Sequence, residues 1–246
     1  MRSLLAAAVQ LDVMPAEQEG NCQRALEMVG WACRSGADLV ILPELFLTGF
    51  DYSARPEESP YPSLQPFREL ASRTGTMIIG SIMTASMRGR LNTGFCLDGL
   101  QLGCQDKVHP FGPEKSHFIG ADRIEPILTS RGKIGLQICY DLRFPEVARR
   151  LCSSGADLLV TVGEFPAERI EHWRALSIAR AIENQICHIA CNWAAGGGSI
   201  IVDPLGRVLA EARPGQTVIC ARIDPDLQEQ ARAALTCWAD RRPELY

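Results

Sequence analysis

The chain has 246 residues, of which 46% are hydrophobic and 22% are charged, and these figures are ordinary for a globular protein in water. The formal net charge is -4 and no run of Lys or Arg occurs, which argues against a nucleic-acid partner. No stretch approaches the ~18 apolar residues that a membrane span requires, so no membrane partner is expected.

The first residues superficially resemble a secretory signal peptide. Their apolar run is short, however, and Gln10 and Asp12 interrupt it, so we interpret residues 4–13 as a buried strand. The ten cysteines are scattered and form no C-x-x-C or other metal spacing. Reduced thiols, a cytoplasmic location and no metal site are therefore expected.

Apolar periodicity and turn residues predict strands that alternate with helices along the chain. A continuous apolar run such as 37–42 indicates a strand that is buried on both faces, as in a sheet covered by helices. Helices are predicted at 17–34, 64–74, 144–153 and 169–184, with a polar helix before an extended tail at 237–246. Strands are predicted at 4–13, 37–44, 77–83, 94–97, 103–107, 133–138, 157–162, 186–191, 199–203 and 217–223.

A short internal repeat organises these elements into two halves. The sequence from Ser35 to Val40, Ser-Gly-Ala-Asp-Leu-Val, recurs from Ser154 to Leu159 as Ser-Gly-Ala-Asp-Leu-Leu. Each copy follows a helix and leads into a strand that ends near a Glu, at Glu44 and Glu164. No linker of low complexity interrupts the chain, so we expect two similar α/β halves packed as one domain over residues 1–246.

Cys139 follows the strand at 133–138 and precedes a helix that begins near Pro145. A thiol at a strand-to-helix turn is open to substrate, and the helix N-terminus is expected to favour its thiolate. The alternative is a small buried residue, which is what a free cysteine usually is.

Two further candidates, Glu44 and Lys107, also lie where predicted strands end, and loops at such ends converge on one face of an α/β fold. A carboxylate beside an apolar strand is suited to general base work, and a lysine ammonium can stabilise the oxyanion of a tetrahedral intermediate. The alternatives are an exposed loop acid and a solvated lysine.

Together these segments resemble the three catalytic motifs of the nitrilase superfamily of carbon–nitrogen hydrolases. The motifs are Leu42-Pro43-Glu44, Asp106-Lys107-Val108-His109 and the run from Ile138 to Glu146, and the resemblance extends over essentially the whole chain. It implies an α/β fold, a four-layer α-β-β-α sandwich that is usually paired as a dimer, with the tail at the subunit interface.

The same resemblance assigns roles to individual residues. Glu44 is the implied general base, Lys107 the oxyanion stabiliser and Cys139 the nucleophile, with the Tyr140 backbone N–H as a second oxyanion donor. Glu114 matches a further acid that orients the lysine, although it could instead be a surface acid beside Lys115.

Arg143 belongs to a motif form that is similar to the ω-amidase branch, whose members hydrolyse the terminal amide of short 2-oxo dicarboxylic acid amides. It is a candidate to bind a substrate carboxylate, and helix capping or an interface salt bridge is the alternative.

The sequence thus predicts an amidase that acts on a small linear amide, releases ammonia and needs no cofactor. Within the family, the alternatives are hydrolysis of an N-carbamoyl amine, a deaminated-peptide amide or a nitrile. From another class, the alternative is a non-catalytic binding protein that retains the fold. A small-molecule substrate and a second copy of the chain are the expected partners.

Overall fold

The computed structural model describes residues 3–245, so Met1, Arg2 and Tyr246 lie outside the described residues. Its helices are α1 (Gln18–Arg34), α2 (Gln65–Thr74), α3 (Pro145–Ser153), α4 (Ile170–Asn184) and α5 (Asp226–Ala234). Its strands are β1 (Leu4–Gln10), β2 (Leu39–Ile41), β3 (Met77–Ser86), β4 (Gly89–Asp98), β5 (Gln101–Asp106), β6 (Ile127–Thr129), β7 (Gly132–Ile138), β8 (Leu158–Val162), β9 (His188–Cys191), β10 (Ile200–Val202), β11 (Val208–Glu211) and β12 (Thr217–Ile223).

The strands form two six-stranded sheets with the orders β12-β1-β2-β3-β4-β5 and β11-β10-β9-β8-β7-β6. The central pairs β1–β2, β2–β3, β7–β8 and β8–β9 are parallel, and the other pairs are antiparallel. Helices connect the parallel strands and cover the outer face of each sheet centre, and the inner faces of the two sheets pack on each other.

Side-chain alternation along the strands separates the core into layers. In β1, Leu4, Ala6 and Ala8 pack into a cluster that is shared by both sheets, whereas Ala7 and Val9 pack against the helical layer of α1 and α2. Helices α3 and α4 cover the second sheet on its outer side. This arrangement confirms the predicted four-layer α-β-β-α sandwich.

The internal repeat marks equivalent junctions in the two halves. Asp38 and Asp157 each accept a hydrogen bond from the neighbouring strand, from Leu5 N at 2.9 Å and Lys133 N at 2.8 Å. Gly36 and Gly155 have φ values of +85° and +89°, a conformation that favours glycine after a helix. The two similar halves predicted from the repeat are therefore present.

Three details differ from the sequence prediction. Short strands at β6 and β11 were not predicted, and β4 begins at Gly89 rather than 94, because these segments lack a clear apolar alternation. The tail is not extended. Two 3₁₀ turns, Thr236–Trp238 and Pro243–Leu245, shape it, and Trp238 packs beside α3, where three arginines stack on its ring: Arg149, Arg232 and Arg241.

Within residues 3–245, no helix combines the length and the apolar composition that crossing a membrane requires.

Candidate active site

Glu44 lies three residues beyond β2 in a fully buried turn. Its Oε1 accepts hydrogen bonds from Lys107 Nζ at 2.7 Å and from Asn92 Nδ2 at 2.8 Å, and its Oε2 accepts one from the Glu164 backbone N–H at 3.1 Å. Its main-chain carbonyl accepts a hydrogen bond from the Trp193 indole at 2.7 Å. The carboxylate is therefore held in one orientation by donors from both sheets.

Lys107 directly follows β5 and is almost completely buried. Its ammonium group donates to Glu44 and also to both carboxylate oxygens of Glu114, at 2.9 and 2.8 Å. Burial alone would lower the pKa of Lys107, but the negative charges of Glu44 and Glu114 outweigh it and raise the pKa above its ordinary value. The lysine is therefore a fixed positive charge at the site.

Glu114 lies in the 3₁₀ turn Gly112–Ser116 and is buried, so it is not the surface acid that we considered as an alternative. Burial and the charge of Glu44 raise its pKa to about 7, against the opposing effect of Lys107. Two carboxyl groups thus share one ammonium group in a site with little access to water.

Cys139 directly follows β7 and has a φ of +49°, which is uncommon for a residue other than glycine. Its Sγ donates to the carbonyl oxygen of Glu164 at 3.5 Å. A strained φ value of this kind often occurs at active sites, where the backbone holds a functional side chain in one orientation.

The structure corrects the expectation that a helix N-terminus favours the thiolate. The 3₁₀ turn Cys139–Arg143 separates the cysteine from α3, and burial together with the charge of Glu44 raises the pKa of the Cys139 thiol well above its ordinary value. In the free protein the thiol is therefore neutral, and a base must remove its proton before it can act as a nucleophile.

A cavity opens above the thiol, and water-sized molecules can occupy about 310 Å³ of it. This volume is at the lower end of the range for small-molecule sites. Four of the eleven lining residues are Phe or Tyr, and the charged groups in the wall are two carboxyl and two guanidinium groups. The lining residues are Phe50, Phe111, Glu114, Cys139, Tyr140, Arg143, Glu164, Phe165, Pro166, Arg169 and His172.

Arg143 lies in this cavity wall rather than capping a helix. Its guanidinium group stacks on the Phe165 ring at 4.9 Å and lies 3.3 Å from His172 Nδ1. Arg169 reaches the same cavity and stacks on Phe111 at 5.7 Å. Neither arginine has an acidic ion-pair partner among residues 3–245. The cavity therefore holds two positive groups that can bind an anionic ligand.

The structure brings all six residues singled out from the sequence to this one site: Glu44, Lys107, Glu114, Cys139, Tyr140 and Arg143. The sequence reasoning missed Asn92, Glu164, Arg169 and Trp193. The recurrence of a Glu after the second repeat was a signal for Glu164, whereas Asn92 lies before the predicted strand 94–97 and carried no such signal.

Comparisons with known proteins agree with this architecture. The sequence profile described as carbon-nitrogen hydrolase matches residues 5–233. The 2-oxoglutaramate amidase of Bacillus subtilis is 31% identical, over 98% of this chain and 98% of its own length. The omega-amidase NIT2 of Xenopus tropicalis is 32% identical, over 100% of this chain and 98% of its own length.

A solved structure extends the similarity to the fold. Nit3 of Saccharomyces cerevisiae, described as a member of branch 10 of the nitrilase superfamily, superposes with a TM-score of 0.90 at 29% identity. The match covers 100% of this chain and 97% of that one. The chain therefore belongs to the carbon-nitrogen hydrolase family, the nitrilase superfamily, and is similar to its ω-amidase-like members.

Proposed function

We propose that this protein hydrolyses the terminal amide of a short linear acid amide and releases ammonia, with Cys139 as the nucleophile, Glu44 as the base and Lys107 as the oxyanion stabiliser. The observation that carries the proposal is the position of Lys107. Its ammonium group is bound to Glu44 and Glu114 at 2.7–2.9 Å, and Glu114 lines the same cavity as Cys139.

The first half of the reaction forms a thioester. Glu44 accepts the thiol proton, and the sulfur of Cys139 attacks the amide carbon. Negative charge develops on the carbonyl oxygen, where Lys107 and the Tyr140 backbone N–H stabilise it. Collapse of this intermediate breaks the C–N bond, and Glu44 returns the proton to the leaving nitrogen, which departs as ammonia.

The second half regenerates the enzyme. Glu44 removes a proton from a water molecule, which attacks the thioester carbon. The C–S bond breaks, the acid product leaves, and the proton returns to the sulfur of Cys139. The same carboxyl group, that of Glu44, must act first as a base and then as an acid. Donors from both sheets hold it in one orientation, which supports its assignment to both steps.

The substrate class follows from the cavity. Its small volume favours a short substrate, and Arg143 and Arg169 offer fork-shaped donors for a carboxylate at the end opposite the amide. The names of the relatives, an omega-amidase and a 2-oxoglutaramate amidase, support the same class.

Ammonia release from a panel of short ω-amides, carbamoyl amines and nitriles tests this proposal. We expect release from carboxylate-bearing ω-amides, and its loss in Cys139→Ala, while Cys237→Ala, which removes an exposed thiol, retains the wild-type rate. Release of carbon dioxide together with ammonia from a carbamoyl amine, without turnover of the ω-amides, would instead establish the carbamoyl alternative. No ammonia release from any compound of the panel would support a non-catalytic binding protein.

We also propose that residues 1–246 act as one catalytic domain in the cytoplasm and pair with a second copy, with the tail 237–246 at the interface. Ten free cysteines support a reducing compartment, and the exposed Leu245 supports a contact through the tail. Sedimentation velocity of the wild-type chain and Leu245→Asp tests the pairing. A dimer that dissociates in the variant is expected, and a monomeric wild-type protein would contradict it.

A further inference from the structure

We propose that His172 is a positioning residue: its Nδ1 atom holds the guanidinium group of Arg143 against the Phe165 ring, so that the anion-binding group of the cavity is ordered before a ligand arrives. This inference rests on the proposed function, in which Arg143 binds the substrate carboxylate, and deepens it. His172 acts through Arg143 and takes no part in the chemical steps described above.

Two directional contacts hold the guanidinium group of Arg143. The group stacks on the Phe165 ring, 4.9 Å from the ring centroid, and its Nη1 atom donates to His172 Nδ1 at 3.3 Å. No acid among residues 3–245 forms an ion pair with it. Among the residues that the structure describes, His172 is therefore the one polar partner of this guanidinium group.

The chemistry of this pair specifies the tautomer of His172. A guanidinium group carries only donors, so Nδ1 of the imidazole must be the acceptor. The ring proton of the neutral imidazole then lies on Nε2. The hydrogen bond to Arg143 thus makes a statement about His172 that can be measured directly.

The backbone at His172 is held by the next residue of the chain. His172 lies in the first turn of α4, and Trp173 beside it is fully buried. The Trp173 indole donates to the Gly198 carbonyl at 2.8 Å, and its ring contacts the Phe165 ring with 4.9 Å between centroids. The two groups that contact the guanidinium, His172 and Phe165, are therefore connected through one buried indole.

Arg143 and His172 line the same cavity as Cys139, but they belong to different segments. Arg143 ends the 3₁₀ turn that begins at Cys139, whereas His172 lies on α4. Their hydrogen bond therefore ties the turn that carries the proposed nucleophile to the helix that covers the second sheet.

Ordering Arg143 in advance affects the affinity for an anionic ligand. A free arginine side chain loses rotamer freedom when it binds a ligand, and this loss weakens binding. Because His172 orders Arg143 in the free protein, the loss has already occurred when the ligand binds. Removing the acceptor should therefore weaken binding of a carboxylate about three- to tenfold and leave binding of a neutral ligand unchanged.

Two matched substrates test this role: the monoamide of glutarate, which carries a carboxylate, and the diamide, which is neutral. We expect His172→Leu to raise KM for the monoamide about three- to tenfold, with little change in kcat, and to leave KM for the diamide unchanged. His172→Asn, whose Oδ1 can replace Nδ1 as acceptor, should restore the wild-type KM. Glu171→Leu, at the exposed neighbouring position, is the control. An equal increase in KM for both substrates would overturn the proposal.

A double-mutant cycle shows whether His172 acts through Arg143. In an Arg143→Met background, His172→Leu should have no further effect on KM for the monoamide, because the group that His172 positions is absent. The same three- to tenfold increase in both backgrounds would show that His172 contacts the carboxylate itself, and it would overturn the positioning role.

Nitrogen-15 NMR of histidine-labelled protein gives a readout that does not depend on turnover. The chain has four histidines, and His172→Asn identifies the signals of residue 172 by their loss. At about pH 8, where an ordinary imidazole is neutral, we expect His172 to carry its proton on Nε2 and its Nδ1 signal to shift in Arg143→Met. A proton on Nδ1 would overturn the proposal.

Binding to Cys139→Ala separates this inference from the proposed function. In calorimetry, we expect Cys139→Ala to bind glutarate about three- to tenfold more tightly than Cys139→Ala combined with His172→Leu. This difference, in a protein that releases no ammonia from any amide, would overturn the proposed function alone. Ammonia release with a KM for the monoamide that His172→Leu does not change would overturn the positioning role alone.

Discussion

His109 Nδ1 donates a 2.9 Å hydrogen bond to Oδ1 of Asp141, whose carboxylate is buried between the loop after Lys107 and the turn that begins at Cys139. The same carboxylate accepts hydrogen bonds from three backbone N–H groups, those of Val108, His109 and Ile138. Asp141 therefore joins the segments that carry the proposed oxyanion stabiliser and the proposed nucleophile.

Asp141→Ala should leave these buried donors without an acceptor. We expect the free energy of unfolding to fall by about 2–4 kcal/mol and kcat to fall at least about tenfold, because Lys107 and Cys139 lose their fixed spacing. Urea denaturation and ammonia release measure the two effects. Asp12→Asn, at an exposed position, is the matched control, and a wild-type kcat in Asp141→Ala would refute the positioning role.

Trp193→Phe tests whether the hydrogen bond from Trp193, which follows β9 of the second sheet, helps to hold Glu44 in place. The variant keeps an aromatic ring against Phe50 but removes the indole donor that binds the Glu44 carbonyl at 2.7 Å. We expect a loss of about 1–2 kcal/mol in unfolding free energy and a several-fold lower kcat. The control is Trp31→Phe, on the half-exposed side of α1. Equal effects of the two substitutions would show that the hydrogen bond does not matter.

Arg143→Met tests recognition of the substrate carboxylate. The substitution removes the guanidinium group and keeps a long side chain, so KM for a carboxylate-bearing ω-amide should rise by about 10- to 100-fold with a smaller change in kcat. A neutral short amide should be affected little. Arg150→Met, at an exposed position of α3, serves as the control. The same increase in KM for both substrates would argue against carboxylate binding.

Burial and the negative charge of Glu44 raise the pKa of Glu164 to about 7, and this shift predicts how the free energy of unfolding changes with pH. An unfolded glutamate releases its proton above about pH 4.5, whereas folded Glu164 keeps its proton up to about pH 7, so its contribution to stability is lost as pH rises between these values. From about pH 5 to about pH 8, wild-type stability should fall by about 1–2 kcal/mol relative to Glu164→Gln, after allowing for partial solvent screening.

Urea denaturation over this pH range measures the difference. The curves of wild-type and Glu171→Gln proteins should run in parallel, because residue 171 is exposed, while the curve of Glu164→Gln should diverge upward relative to both. Parallel curves for all three proteins would show that folded Glu164 titrates as an ordinary glutamate.

The sequence allowed the positions of the central residues to be predicted because they follow strands. Glu44, Lys107 and Cys139 come after β2, β5 and β7, and loops at such ends converge. Their supporting contacts could not be predicted in this way. The Glu164–Glu44 and Trp193–Glu44 hydrogen bonds join residues 120 and 149 positions apart, across two sheets whose packing no local pattern specifies.

In the fold as well, the elements with a local sequence pattern could be predicted, and those that depend on residues elsewhere in the chain could not. Apolar runs and the Ser-Gly-Ala-Asp repeat identified the central strands and the two halves, because burial and the turn geometry leave a local pattern. The edge strands β6 and β11 are short, and their pairing depends on the neighbouring strand. In the tail, Trp238 stacks with Arg149 of α3 as well as with the nearby Arg232 and Arg241, and the composition of the tail does not indicate the contact with α3.

The central claim is that catalysis passes through a thioester on Cys139, and mass spectrometry of acid-quenched enzyme during turnover tests it most directly. With an ω-amide substrate in excess, we expect the peptide that contains Cys139 to gain the mass of the substrate minus ammonia. The gain should be absent in Cys139→Ala and present in Cys237→Ala. Ammonia release by a Cys139→Ala protein that carries no adduct would contradict the account.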